Sequence, residues 1–136
     1  MFSRILLAFA LSYSLAYTME QAEIDKVNKL IDKVGTMTSY KFIRNDSEYD
    51  VADAMRLMRY KLDHQQKDLK TVDDYIDTCL NKSSSGKDYK VKDDKGTITG
   101  CPEMLKKWAK EIAEQEAKAA KDAQAAKKAA DIPAAK

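Results

Sequence analysis

A set of charged and hydroxyl-bearing side chains around residues 45 and 85 could form a binding cleft. Its members are Arg44, Asn45, Glu48, Tyr49, Arg59, Lys61, Ser85 and Lys87. An arginine guanidinium offers a planar pair of donors that matches a carboxylate, so this set predicts a site for a carboxylate or sugar ligand. The alternative is that the same side chains form an ion-pair and capping network that fixes a hairpin against the helix that follows it.

Serine catalysis has less support in the sequence. Ser83 or Ser85 would need a histidine and an acid, and His64 lies at the polar end of a predicted helix. Lys87 follows a glycine in a polar loop, where an ammonium group stays solvated and is not a base. The segment SSSGK also lacks the longer glycine frame of a phosphate-binding loop. We therefore predict no catalytic residue and keep a small serine-dependent hydrolase as the alternative function.

No cofactor and no metal site are predicted. Met55 and Met58 lie one helical turn apart and thioethers bind copper(I), but only His64 is available as a further ligand. Two methionines at this spacing are typical of core packing. The formal net charge is only +2, and basic residues are interspersed with acidic ones, so no nucleic acid partner is indicated. The expected partner is an envelope protein or a small ligand.

The first residues predict where the protein resides. Residues 1–16 combine a positive charge at Arg4, an apolar run from Ile5 to Leu15 and a small residue at Ala16. This pattern is typical of a secretory signal peptide. The apolar run is shorter than the roughly 20 residues that a bilayer span needs. We expect a periplasmic or secreted protein with no stable membrane span after cleavage.

Export changes the interpretation of Cys79 and Cys101, which are the two cysteines of the chain. In an oxidising compartment, an even number of cysteines favours a disulfide. In the chain-entropy model the bond would close a loop of about 23 residues and add on the order of 3 kcal/mol to the free energy of unfolding. The alternative is a pair of buried thiols that pack as small hydrophobic side chains.

Hydrophobic periodicity predicts the four helices that would position these residues. The first follows the signal segment and ends at Gly35, the second runs from about Val51 to Lys67, the third begins after Thr71, and the fourth begins at Pro102. Asp50 and Thr71 are the residue types that cap helix N-termini, and proline suits the first helical turn. Each helix has one apolar face, so the four are expected to share a core.

Two short hairpins complete the prediction. Asn45 and Asp46 tolerate the left-handed backbone that a two-residue hairpin turn demands. The segment DYKVKDDKGTITG predicts a second hairpin around a turn that ends in Lys95-Gly96. The expected fold class is therefore α+β, with about four helices and two short β-hairpins in a small domain that spans residues 20–112.

Residues 113–136 differ in composition from the rest of the chain. They are rich in Ala, Lys, Glu and Gln and contain no apolar residue larger than alanine until Ile132. Helix propensity is high, but nothing can anchor this segment to a core. We predict a solvated helical C-terminal extension of about 18 residues, roughly 27 Å long if fully helical. A structural interaction module that acts through this tail is a further alternative function.

The order of these motifs resembles a family of small secreted proteins of Gram-negative bacteria that is known only as a domain of unknown function. The family pattern is a Phe-x-Arg-Asn-Gly-x-x-Tyr hairpin, a helix with Arg-x-Lys, a helix that begins with Thr, and a Ser-x-Ser-Gly-Lys-x-Tyr segment. The matching residues here are Phe42, Arg44, Asn45, Tyr49, Arg59, Lys61, Thr71, Ile76, Ser83, Ser85, Gly86, Lys87 and Tyr89. Asp46 stands where the family has Gly. The resemblance covers roughly residues 23–112 and implies a periplasmic location, an α+β fold and no known activity.

Overall fold

The computed structural model describes residues 19–130. In chain order it contains helix α1 (Gln21–Thr36), strands β1 (Lys41–Arg44) and β2 (Ser47–Tyr49), helix α2 (Val51–Gln65), helix α3 (Val72–Cys79), strands β3 (Lys90–Lys92) and β4 (Ile98–Gly100), and helix α4 (Cys101–Ala130). A short 3-10 helix, Gln66–Asp68, follows α2. The α+β fold class is confirmed. The predicted signal segment, residues 1–16, lies outside the described residues, as do residues 131–136.

The two predicted hairpins join into one antiparallel sheet of strand order β2-β1-β3-β4. Strands β1 and β3 pair directly, and this pairing sets Phe42 opposite Val91. The sequence indicated each hairpin but not the pairing between them. As a result β1 and β3 are interior strands, whereas β2 and β4 form the edges of the sheet.

The strand register separates the sheet into two faces, because successive side chains alternate. One face carries Phe42, Arg44, Tyr49 and Val91. Val91 is fully buried and marks the side on which the helices pack. The opposite face carries Lys41, Ile43, Glu48, Lys90 and Lys92, and Lys92 forms an ion pair with Glu48 there at 2.8 Å. Arg44 therefore belongs to the helix-covered face, and most of the charged residues belong to the other.

Both predicted helix caps are present. Asp50 Oδ1 accepts a hydrogen bond from the backbone N–H of Asp53 at 2.9 Å. Thr71 Oγ1 accepts from the N–H of Asp74 at 3.1 Å, and the Asp74 carboxylate accepts from the N–H of Thr71 in return. Each cap satisfies a donor that the helix geometry leaves unpaired, which is worth about 1 kcal/mol. The caps fix where α2 and α3 begin.

The prediction that Gly35 ends α1 is wrong, because the helix continues through Thr36. A Cβ atom at residue 35 would lie 2.8 Å from Met55 Sδ of helix α2. The glycine therefore allows α1 and α2 to approach each other closely. Its small size, rather than a left-handed backbone, explains the residue at this position.

The core lies between the helices and the covered face of the sheet. Its largest fully buried side chains include Tyr75, Leu30, Ile31, Met58, Ile76 and Leu105. The hydroxyl of Tyr75 donates to the carbonyl oxygen of Met58 at 2.8 Å, which satisfies the polar group that this ring takes into the core. Trp108 of α4 packs edge-to-face against Tyr40, with ring centroids 5.5 Å apart. These contacts hold α4 and the loop before β1 to the same core.

Cys79 and Cys101 are free thiols in the structure, and the predicted disulfide between them stays a prediction. Both side chains are buried, and Cys79 Sγ donates to Gln65 Oε1 at 3.2 Å. Burial raises the pKa of both thiols, that of Cys101 to about 12. The thiolate is the form that reacts in disulfide chemistry, so burial also slows oxidation. The arrangement corresponds to the alternative of buried thiols that pack as small hydrophobic groups.

Helix α4 extends well past the core. Residues 113–130 are helical and exposed throughout. Near the start of this segment Glu116 forms an ion pair with Lys29 of α1. Within residues 19–130 no helix is both long enough and apolar enough to cross a membrane.

Candidate functional site

The two polar loops of the predicted site meet in the structure. Asn45 Oδ1, in the turn between β1 and β2, accepts hydrogen bonds from Ser83 Oγ at 2.7 Å and Ser85 Oγ at 2.6 Å. Beside them Lys87 forms an ion pair with Asp46, and its hydrogen bond lowers the pKa of the Asp46 carboxyl group. We call this cluster of Asn45, Asp46, Ser83, Ser85 and Lys87 the loop junction.

Backbone geometry brings the loop junction together. Asn45 and Asp46 have φ values of 50° and 66°, which are those of the two-residue hairpin turn that the sequence predicted. In the second loop the N–H of Ser83 donates to the carbonyl oxygen of Lys87 at 2.9 Å, and Gly86 has a φ of 82°. A left-handed glycine at this position is typical of three-residue hairpin loops. Both loops are therefore tight turns that hold their side chains in place.

The loop junction satisfies its own polar groups. Ser83 is buried, and its Oγ lies 2.8 Å from Ser85 Oγ in addition to its bond with Asn45. The hydroxyl protons of Ser83 and Ser85 are thus already used in hydrogen bonds among their own Oγ atoms and Asn45 Oδ1. The charge of Lys87 is balanced by Asp46. This geometry matches the predicted alternative of a network that fixes the hairpin, and it leaves few donors for a ligand.

Three other residues of the predicted site lie away from the loop junction. Glu48 pairs with Lys92 on the opposite face of the sheet. Lys61 Nζ donates to the carbonyl oxygen of Cys79 at 2.6 Å and to the hydroxyl of Tyr89 at 3.1 Å. A cation at this position stabilises the C-terminal end of helix α3. Arg59 is exposed on α2.

Among residues 19–130, His64 makes its described contacts with Tyr60 rather than with either candidate serine. His64 Nδ1 lies 2.8 Å from the carbonyl oxygen of Tyr60, and its ring stacks on the Tyr60 ring at 4.0 Å. Among residues 19–130 no hydrogen bond joins the hydroxyl of Ser83 or Ser85 to the side chain of a histidine, a lysine, an aspartate or a glutamate. The same part of the chain contains no group of three or more His, Cys, Asp or Glu side chains that could hold a metal ion.

Arg44 belongs to a different feature, a cavity of about 240 Å³ between the sheet and helices α2 and α4. Most of the side chains around it are apolar, among them Phe42, Leu57, Met58, Leu80 and Leu105. The polar side chains at the cavity include Arg44, Tyr49 and Asp53. Tyr49 is 38% exposed and lies on the edge strand β2, so it marks the side on which the cavity reaches solvent. We call this cavity the Arg44 pocket.

Arg44 lines this pocket and has one unmatched donor. Its Nε is buried and has no hydrogen-bond partner, and it is the one buried side-chain nitrogen or oxygen of which this is true among residues 19–130. The acidic side chain at the pocket, Asp53, is paired with Arg56. Inward-pointing charges can protect a sheet edge from aggregation, but β1 is an interior strand. The fold alone therefore gives no reason for an arginine here.

The sequence prediction included Arg44 but missed the pocket. The walls come from β1, β2, α2, β3 and α4, and they meet only because β1 pairs with β3. One signal was present in the sequence, since strand alternation places Arg44 on the same face as Phe42. A basic residue on the apolar face of a strand is the feature that sequence reasoning could have used.

The comparisons with known proteins give a family but no activity. No curated protein matches the chain, and no solved structure does. The model of a family of unknown function (DUF5329) matches residues 20–115. The matched range contains the whole loop junction and the side chains of the Arg44 pocket, and it ends where the exposed part of α4 begins. This match extends over more than half of the chain, and the protein therefore belongs to this family of unknown function.

Proposed function

We propose that this protein is a non-enzymatic binding protein of the bacterial envelope and that its ligand site is the Arg44 pocket. The observation that carries the proposal is Arg44, which lines a largely apolar cavity and whose buried Nε has no hydrogen-bond partner among residues 19–130. Buried polar groups in folded proteins are almost always hydrogen-bonded, so an unmatched one calls for an explanation. A bound anion would supply an acceptor to the Arg44 guanidinium. On this proposal the ligand is a small molecule rather than an envelope protein.

The location in the envelope rests on the sequence of residues 1–16, which has the charged start, apolar run and small residues of a secretory signal. Osmotic-shock fractionation of the native cells tests it. We expect the processed protein, without its first residues, in the periplasmic fraction or the medium. Full-length protein in the cytoplasmic fraction would contradict export.

The absence of enzymatic activity is supported by the contacts of the two candidate nucleophiles. The hydroxyls of Ser83 and Ser85 lie within hydrogen-bond distance of each other and of Asn45 Oδ1, and neither is hydrogen-bonded to a side-chain base in the described part of the chain. A serine hydroxyl without an adjacent base is a poor nucleophile. A fluorophosphonate probe is therefore expected to leave the protein unlabelled. Labelling of either serine would favour the alternative, a small serine-dependent hydrolase.

Native mass spectrometry tests the binding function directly. Protein purified from its own envelope fraction under non-denaturing conditions is compared with the variant Arg44→Met. We expect a small bound molecule on the wild-type protein that is absent from the variant. Arg59→Met is the matched control, because Arg59 is exposed on α2 and does not line the cavity. If the same bound mass is found on wild type and Arg44→Met, the pocket is not the ligand site.

A further inference from the structure

We infer that the ligand of the Arg44 pocket is an apolar monocarboxylate of about ten non-hydrogen atoms. This inference rests on the proposed function and adds the chemical class of the ligand. It follows from three properties of the pocket, namely its charge, the polarity of its walls and its volume.

The charge of the pocket indicates a ligand with one negative end. The guanidinium of Arg44 is the positive group on the pocket side of the sheet, and no carboxylate of residues 19–130 pairs with it. The backbone of Lys90 lies close by, but the register places its side chain on the opposite face, together with Ile43. A single arginine presents a fork of parallel donors that a carboxylate accepts with both oxygens.

The walls of the pocket disfavour the other ligands that arginine binds. A sugar needs several hydroxyl or amide partners, but the nearby hydroxyls of Ser83 and Ser85 already donate within the loop junction. A phosphate group carries more acceptor sites than one arginine can match, and its remaining oxygens would be buried against Phe42, Leu57 and Leu105 without partners. A carboxylate attached to a hydrocarbon body leaves no such group unmatched.

The volume of the pocket sets the size of the hydrocarbon body. An apolar cavity of about 150 Å³ holds benzene, with six carbon atoms, so a cavity of about 240 Å³ holds roughly ten non-hydrogen atoms. Octanoate and 3-phenylpropanoate have about this size. Acetate would leave most of the apolar surface without contacts, and a long-chain fatty acid would have to extend into solvent past Tyr49.

Isothermal titration calorimetry of the full chain with matched probes tests this class. Octanoate is compared with octanamide, which has nearly the same shape and size but no charge, and with acetate and inorganic phosphate. We expect octanoate to bind at least about tenfold more tightly than octanamide, because a hydrogen bond to a charged group is stronger than one to a neutral group. Acetate and phosphate should give no binding over the same concentrations. Arg44→Met should lower the affinity for octanoate to that for octanamide, and Arg59→Met should leave it unchanged.

Each part of the inference can fail separately. Equal affinities for octanoate and octanamide would contradict the inference that the ligand has an anionic end. Equal affinities for octanoate and acetate would contradict the inference that it has an apolar body. Phosphate binding that depends on Arg44 would show that the ligand carries a phosphate group and not a carboxylate. If octanoate does not bind but an Arg44-dependent mass is still found by native mass spectrometry, the ligand class is wrong and the binding function stands. If neither is observed, both proposals fail.

Discussion

Arg44 should destabilise the unliganded protein, so replacing it should raise the free energy of unfolding. Its buried Nε has given up water without gaining a hydrogen bond. The substitution Arg44→Met removes this donor and keeps a flexible apolar stem on the inward face of β1. We expect the variant to be more stable than the wild type and to bind the ligand more weakly. A residue that serves only the architecture would show the opposite change in stability.

The size of the effect follows from the burial of this one atom. Leaving a buried polar group without a partner costs about 1–3 kcal/mol. The Arg44 side chain is only partly buried, and Nε is its one atom that is both buried and unpaired, so the lower end of this range applies. We expect the free energy of unfolding of Arg44→Met to rise by about 1 kcal/mol.

Urea unfolding followed by tryptophan fluorescence measures this difference. Trp108 is the single tryptophan, it is only 3% exposed, and it packs against Tyr40, so its emission reports on the core. The slope of the unfolding free energy with urea should not change, because the surface exposed on unfolding stays the same. Arg59→Met, at an exposed position, should stay within about 0.5 kcal/mol of wild type. If Arg44→Met loses about 1 kcal/mol or more, Arg44 stabilises the fold and the argument for a ligand site at Arg44 is refuted.

Three further perturbations test the fold around the site. The Cys101 thiol has its pKa raised from 9.0 to about 12, so the unfolded chain releases its proton first as the pH rises. The contribution of the Cys101 thiol to stability is complete below pH 9. The free energy of unfolding should fall by about 2 kcal/mol between about pH 8 and about pH 10.5, and this fall should be smaller in the variant Cys101→Ala. Alkylation after unfolding without reductant should label both cysteines, and the absence of label would show that they form the predicted disulfide. Gly35→Ala should change stability little in the wild type, since the gain in helix propensity is offset by the contact with Met55. In a Met55→Ala background, Gly35→Ala should raise the free energy of unfolding by about 1 kcal/mol. Deleting residues 117–136 should leave the unfolding free energy within about 0.5 kcal/mol of wild type, because residues 117–130 are exposed. A larger loss in urea unfolding would show that the tail contributes to the fold.

The features with a local physical cause were predictable from the sequence. Asp50 and Thr71 satisfy helix donors within three residues of themselves, so the caps need no tertiary information. The turn at Asn45 and Asp46 needs only two residues that accept a left-handed backbone. The prediction for Gly35 failed because a glycine near the end of a helix has two possible explanations. It can adopt the left-handed backbone that ends the helix, or it can allow a neighbouring helix to approach closely. Only the position of Met55 distinguishes them.

The features that depend on contacts between distant segments were not predictable. Nothing in the segments around Phe42 and Val91 indicates that they pair, because either could have been covered by a helix instead. Without that pairing the loop junction and the Arg44 pocket cannot be told apart. The sequence therefore combined into one site a group of residues that the structure divides between the loop junction, the Arg44 pocket and three separate positions, those of Glu48, Arg59 and Lys61.

The division gives the two clusters different roles. In the loop junction Asn45 Oδ1 accepts hydrogen bonds from two hydroxyl groups and the charge of Lys87 is paired with Asp46, and bonded networks of this kind rigidify a fold. Arg44, the residue directly before Asn45, faces the other way and is left without a partner. A rigid turn next to an unmatched guanidinium holds that donor in place before any ligand arrives, and preorganisation of this kind lowers the entropy lost on binding. On the proposed function, the junction would support binding by Arg44 without itself contacting the ligand. Removing its hydrogen bonds should weaken ligand binding less than removing Arg44 does.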